Sequence, residues 1–334
     1  LVGSEMCIRD SDYPMMYWPN GQKILAASRY IARHENLNAV YLGNFRCGPD
    51  SFISHYVREE MKGKPFLQLE VDEHGADAGM ITRCEAFLDS LKGRLNAGKK
   101  KRTAAVSASR GISGSRVART LYYPYMCDHA YTLAAASRYC GIPSEVLPMQ
   151  DETDVEYGRR YTSSRECFPM ICTTGSFLKK IFEPGFVPSR ASFFMPSHNG
   201  PCRFGQYRKL QRIIFDNLGY NEVEIISPTN EDSYAGASGG NGNKYRLTAW
   251  KGVVAVDLLR KLLQEKRPYE AVQGETDKVY QYWLSRIVSS IETGGSDLAD
   301  VLFKSAEAFQ EIRENNSPRK PVVGIVGEIF MRDN

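Results

Sequence analysis

What most limits the fold of this chain is alternation. Short apolar runs at residues 39–42, 65–71, 120–125, 144–147, 192–195, 222–227 and 320–330 are separated by stretches with helical spacing of apolar side chains. The clearest of those stretches are 22–33, 51–61, 77–95, 130–139, 205–218, 247–264, 277–291 and 298–313. Strands joined in sequence through helices cannot pair as hairpins, so the pattern predicts an α/β fold of parallel sheets layered with helices. A chain of 334 residues fits about two domains. We expect a first, partial α/β domain over 14–98 and a Gly-, Ser-, Lys- and Arg-rich linker over 99–119. A second α/β domain would then cover 120–334, and no internal repeat is visible.

Charge and cysteine usage narrow the function classes. The net charge of +4 is spread among interleaved acids and bases, with one dense cluster at 99–102, which predicts no nucleic-acid partner. No apolar run has the length of a membrane span. Eight cysteines without a secretory leader point to a reducing, cytoplasmic setting, where thiols serve as such or as metal ligands. Residues 2–11, VGSEMCIRDS, read like a translated sequencing-library adapter and are set aside together with Cys7. The chain is then expected to be a piece of a longer protein, cut at its start and, after the last apolar run, at its end.

The cysteines sort by position. Cys202 lies in NGPCRFGQY, residues 199–207, between an apolar strand and a helical stretch. That places it at the carboxyl edge of a sheet, where α/β proteins bind ligands and where a helix amino terminus favours a thiolate. Cys47, Cys127 and Cys167 also fall where a strand ends or a helix begins, whereas Cys84, Cys140 and Cys172 fall within helices or at their far ends and read as packing. Thiolates gathered at one edge could hold zinc or an iron-sulfur cluster, with ordinary packing as the alternative. With no C-x-x-C pair, any such site must be assembled from distant loops. The Gly-, Ser- and Asn-rich stretch 234–243 reads as a mobile loop rather than a phosphate cradle.

A series of strings goes further. NFRCGPDSF, LEVDEHGADAGMITRCEAF, YMCDHA, TSSRECFPMI, GPCRFGQY, RPYE and KPVVGIVGEI occur in order from Asn44 onward. Together they resemble the carboxyl-terminal half of large proteins related to the activase and dehydratase components of 2-hydroxyglutaryl-CoA dehydratase. The resemblance implies flavodoxin-like domains holding a cysteine-ligated 4Fe-4S cluster, or in some relatives a double-cubane cluster. It also implies an ATP-driven activase domain or subunit as partner, an acyl-CoA substrate, and a homo- or heterodimer.

The amino-terminal ATPase of such proteins is not visible here and no P-loop is present, so this stretch is not expected to hydrolyse ATP. In the dehydratases an injected electron makes a ketyl radical that expels the hydroxyl and yields an enoyl-CoA. Carried onto this chain, the candidate ligands are Cys47, Cys127, Cys167 and Cys202. Three ligands with one open iron are common in the family, which would leave one of the four, Cys127 first, as a neighbour. Arg46 and Arg203 flank two ligands and are candidates for offsetting cluster charge or holding a thioester or phosphate, with surface exposure as the alternative. Glu166, His129 and His198 are candidates for proton transfer, as is the group Asp72, Glu73 and His74; helix capping or a plain loop role is the alternative for each. Reduction of another small molecule, or electron transfer without catalysis, are the other functions compatible with such a cluster.

Overall fold

In a computed structural model of the chain, the described residues are 16–44, 48–71, 77–96, 119–163, 165–198, 200–228, 234–315, 317–321 and 330. They belong to two compact units. The first comprises Leu1–Ser115, Thr162–Cys167 and Asn199–Leu210, and the second Arg116–Tyr161, Phe168–His198 and Gln211–Asn334. The expected linker, apart from Arg119, and most of the expected last strand lie outside the described residues.

In the first unit, α1 (Pro19–Arg33) opens on a proline, whose missing N–H suits the first helical turn, and packs on α2 (Asp50–Glu60). Leu25, Phe52, Ile53, Tyr56, Val57 and Met61 form the buried core between and around them. Strands β1 (Ala39–Asn44) and β2 (Phe66–Val71) pair in parallel, with Ala39 opposite Phe66 and Asn44 opposite Val71. Side chains alternate along β1: Ala39 and Tyr41 are buried, while Val40 and Leu42 are exposed. The Tyr41 hydroxyl donates to Asp50 at 2.9 Å and so ties β1 to the start of α2. Helix α3 (Asp77–Asn96) corrects one expectation, because Ile81 and Leu88 on its apolar face are exposed and Cys84 is only half-buried. Its hydrophobic spacing is real, but among the described elements its main neighbour is β2.

The second unit is built on four parallel strands, β3 (Thr120–Tyr123), β4 (Ser144–Val146), β5 (Ala191–Phe194) and β6 (Glu224–Ile226). Their spatial order is β4-β3-β5-β6. The second strand thus lies on one side of the first and the third and fourth on the other, which is flavodoxin-like and leaves a switch point between β3 and β5. The period of two sends neighbouring side chains to opposite layers. Phe193 stacks on Phe177 of α6 (Phe168–Ile181) at 4.4 Å and meets Phe215 of α7 (Tyr207–Asn217) at 5.8 Å. Phe194 instead stacks on Tyr123 at 4.3 Å, on the side of the main helical core. That core joins α4 (His129–Tyr139), α9 (Gly242–Lys266), α10 (Glu275–Glu292) and α11 (Leu298–Glu311).

Three local differences from the expected elements have physical reasons. Helix α7 is preceded by a 3-10 turn over Arg203–Gln206, so the segment after Cys202 tightens before becoming α-helical. Helix α5 (Glu152–Tyr161) was not expected from a stretch with so few apolar side chains; it forms against α6. The stretch read as a mobile loop contains Tyr234 at φ 62°, the short α8 (Ala235–Ser238) and the start of α9. Among the described residues, no helix is long and apolar enough to cross a membrane.

Candidate functional site

The first unit brings two of the proposed thiols to one phenol. Cys167 ends the segment 162–167, and Cys202 precedes the 3-10 turn. The Tyr207 hydroxyl hydrogen-bonds the Cys167 side chain and lies within electrostatic reach of Cys202. Burial first, and then the charge and hydrogen bond of Cys167, push the Tyr207 pKa far upward, so it remains a proton donor at any ordinary pH. Its ring stacks on Phe52 at 5.9 Å with planes 10° apart, and Phe204 meets it edge-on at 5.1 Å. A second phenol fixes the Cys202 backbone, because Tyr17 donates to the Cys202 carbonyl at 2.5 Å. Tyr56, fully buried, donates to the carbonyl of Gln206 at 3.2 Å and anchors the other end of the turn.

Cys47 and Arg46 lie outside the described residues, as do Asp72, Glu73 and His74. The residue after Cys47 is described, and it lies in the same place. Arg203 lays its stem along Gly48 so closely that a Cβ there would stand 3.3 Å from the Arg203 Cδ. The guanidinium of Arg203 reaches Ser51 at 3.5 Å, and Ser51 donates to the Gly48 carbonyl at 2.7 Å. The segment that follows Cys47, 48–51, and the two cysteine-bearing segments 162–167 and 200–207 are therefore gathered in one unit. Among the described residues, which do not include Cys47, no group of three His, Cys, Asp or Glu side chains is arranged to hold a metal.

Glu166 is a positioning carboxylate for the Cys167 segment. It accepts the Ser163 hydroxyl at 2.8 Å, the Ser163 N–H at 3.2 Å and the Arg165 N–H at 3.0 Å. The S-x-x-E spacing is that of a capping box, here closing a tight bend before α6. His55 of α2 completes the set at 2.5 Å from Glu166. Burial alone would raise the Glu166 pKa, but His55 and the hydrogen-bond donors outweigh it and hold it at about 2. Neighbouring Arg165 pairs with Glu70 of β2. His55, Tyr17 and Tyr207 carried no sequence signal as site residues, since each depends on a partner far along the chain.

The remaining candidates lie in the second unit. Cys127 stands just before α4, four residues past the end of β3, and its Sγ is 3.1 Å from the Nδ1 of His129. The other ring nitrogen of His129 is 2.8 Å from an Asp257 oxygen on α9. Asp128, between them in sequence, accepts the hydroxyls of Tyr125 at 2.9 Å and Tyr280 at 2.6 Å. His198 is partly buried beyond β5. Cys172 is buried and Cys140 half-buried, as expected for packing cysteines, and burial raises the pKa of both thiols. The RPYE string has a structural part: Glu270 accepts the N–H groups of Gly274 and Thr276 at 2.7 and 2.8 Å and so caps α10. Comparison with known proteins finds no family model, no curated protein and no solved structure that matches this chain.

Proposed function

We propose that the first unit holds an iron-sulfur cluster on Cys47, Cys167 and Cys202, and that the chain belongs to the dehydratase side of an activase-driven 2-hydroxyacyl-CoA dehydratase-like system. The single observation that carries this reading is the Tyr207 hydroxyl, which hydrogen-bonds Cys167 and lies within electrostatic reach of Cys202, while Arg203, next to Cys202, packs on Gly48, next to Cys47. A phenol that stays protonated can donate to thiolate sulfur, and hydrogen bonds of this kind tune the potential of a sulfur-ligated centre. Arg203 supplies positive charge next to two of the three segments. Glu166 and His55 hold the Cys167 bend in place, so Glu166 acts as a positioning residue in this reading and not in proton transfer.

When bound, the cluster would store one low-potential electron from an ATP-driven partner and pass it to an acyl-CoA. A cluster serving electron transfer alone, or a double-cubane centre, fits the same thiols. Anaerobic expression and reconstitution should give a brown protein with iron and acid-labile sulfide in matching amounts and a visible spectrum bleached by dithionite. A colourless, iron-free protein after reconstitution would rule the proposal out. Turnover of a 2-hydroxyacyl-CoA with a competent activase would separate an enzyme from an electron relay.

A further inference from the structure

We infer that Cys127, His129 and Asp257 form a second, cluster-independent centre in which Cys127 is a nucleophile that accepts an acyl group from a thioester with an apolar acyl chain. The inference does not depend on the proposed iron-sulfur site, and it gives Cys127 a task other than ligation. Its geometry is that of a thiol, a base and an orienting carboxylate. Cys127 Sγ lies 3.1 Å from His129 Nδ1, and His129 Nε2 lies 2.8 Å from Asp257 Oδ1. The tautomer that carries its proton on Nε2, donating to Asp257, turns the lone pair of Nδ1 toward the sulfur. The imidazole is largely covered, with its side chain 14% exposed, whereas the Asp257 side chain is 64% exposed.

Two features point to a ligand there. The first is topology: Cys127 follows β3 and Pro196 follows β5, so both lie at the carboxyl ends of the two strands that flank the switch point of the sheet. The second is a cavity of about 680 Å³ lined by Leu133, Phe194, Pro196, Tyr245, Trp250 and Val253, among others. Leu133 is four residues beyond His129 on α4, and Val253 is four residues before Asp257 on α9. The His–Asp pair and the cavity wall therefore occupy successive turns of the same α4–α9 seam, about 5–6 Å apart. The seam is close-packed at Gly252, where a Cβ would come within 2.6 Å of Thr132. The thiol's acidic neighbour Asp128 has a separate task, since two tyrosine hydroxyls hold its carboxylate.

An apolar, aromatic-walled cavity whose wall begins one helical turn from His129 and Asp257 suits an acyl chain whose activated carbonyl reaches the sulfur. A thioester is the matching donor, since exchange of one thioester for another needs no further source of free energy. His129 Nδ1 takes the Cys127 proton as the sulfur attacks the carbonyl carbon. The tetrahedral intermediate then breaks its bond to the departing sulfur, and His129 returns the proton to that thiolate. The products are acyl-Cys127 and one free thiol, with no change of oxidation state.

The test uses the full chain and the hexanoyl thioester of N-acetylcysteamine. Intact mass should rise by one acyl group, peptide mapping should place it on Cys127, and one equivalent of thiol should be released. Acylation of Cys127 should outpace that of the half-buried Cys84 and Cys140 by at least about tenfold. Cys127→Ser should abolish the modification. His129→Gln should slow it by about a hundredfold, the size expected for loss of a positioned general base, while Cys172, buried in the same unit, stays unmodified and so reports an intact fold. Asp257→Asn should slow acylation and Asp257→Glu should restore it. Acyl groups distributed over the cysteines at similar rates in the wild-type chain, or an unchanged rate in His129→Gln, would overturn the inference.

Discussion

At the scale of single residues, the most informative side chains act by holding other groups in place. Glu166 has no exposed side-chain surface and collects a histidine, a hydroxyl and two backbone N–H groups. Glu166→Ala strands those donors, and we expect it to destabilise the protein by about 3 kcal/mol, the lower end for breaking a buried pair; urea unfolding of the two proteins measures it. Tyr123 makes a pH prediction. Burial first pushes its pKa from the usual 10 up to about 12, against the hydrogen bonds from Ser137 and Tyr245 that lower it. A raised folded value means that its contribution to stability is complete below pH 10 and fades as the pH climbs from 10 toward 12. Tyr123→Phe should cost about 1 kcal/mol at neutral pH through the lost hydrogen bonds, and its melting temperature should fall less steeply than that of wild type between pH 10 and 12; parallel curves would contradict this assignment. The places of Cys127 past a strand and just before α4, of Cys167 just before α6 and of Cys202 just before a helical turn were legible in the sequence, because turn residues and apolar runs are local signals. Their partners were not, since Tyr207 meets Cys167 and Asp257 meets His129 only through folding.

Secondary-structure elements show the same division between local and distant causes. The six described strands and most helices follow from spacing, and their ends shift by only a few residues, as at α1 and α9. Helix α5 escaped notice because its sequence, ETDVEYGRRY, gives little apolar periodicity. What holds it is a close crossing with α6. A Cβ on Gly175 would drive into the carbonyl of Asp154, and one on Gly158 into the carbonyl of Ile171. Both helices are further joined by Lys179, which reaches Asp154 at 3.1 Å. Gly175→Ala should therefore force the helices apart and cost about 1–3 kcal/mol, as overpacking does, whereas Gly79→Ala in α3, where a Cβ meets nothing, should cost less; equal melting temperatures for wild type and Gly175→Ala would refute the crossing. Helix α3 shows the opposite error of reading. Its spacing predicts a buried face, but spacing cannot say whether another element covers that face, and Ile81 and Leu88 remain exposed.

At the scale of the whole molecule, two units each build a parallel sheet, and each carries a distinct thiol chemistry in this account. The first gathers Cys167, Cys202 and the segment following Cys47 around Tyr207, and the second sets Cys127 against His129 and Asp257 at a sheet switch point. The α/β class was legible from alternation alone. The division of the chain was harder to read, because Thr162–Cys167 and Asn199–Leu210 join the first unit from far along the sequence. The most direct measurement of the central claim is iron and sulfide content after anaerobic reconstitution of wild type and of four single variants, Cys47→Ala, Cys167→Ala, Cys202→Ala and Cys127→Ala. The account predicts that each of the first three loses the cluster while Cys127→Ala keeps it; equal loading in all five proteins, or a loss confined to Cys127→Ala, would contradict it.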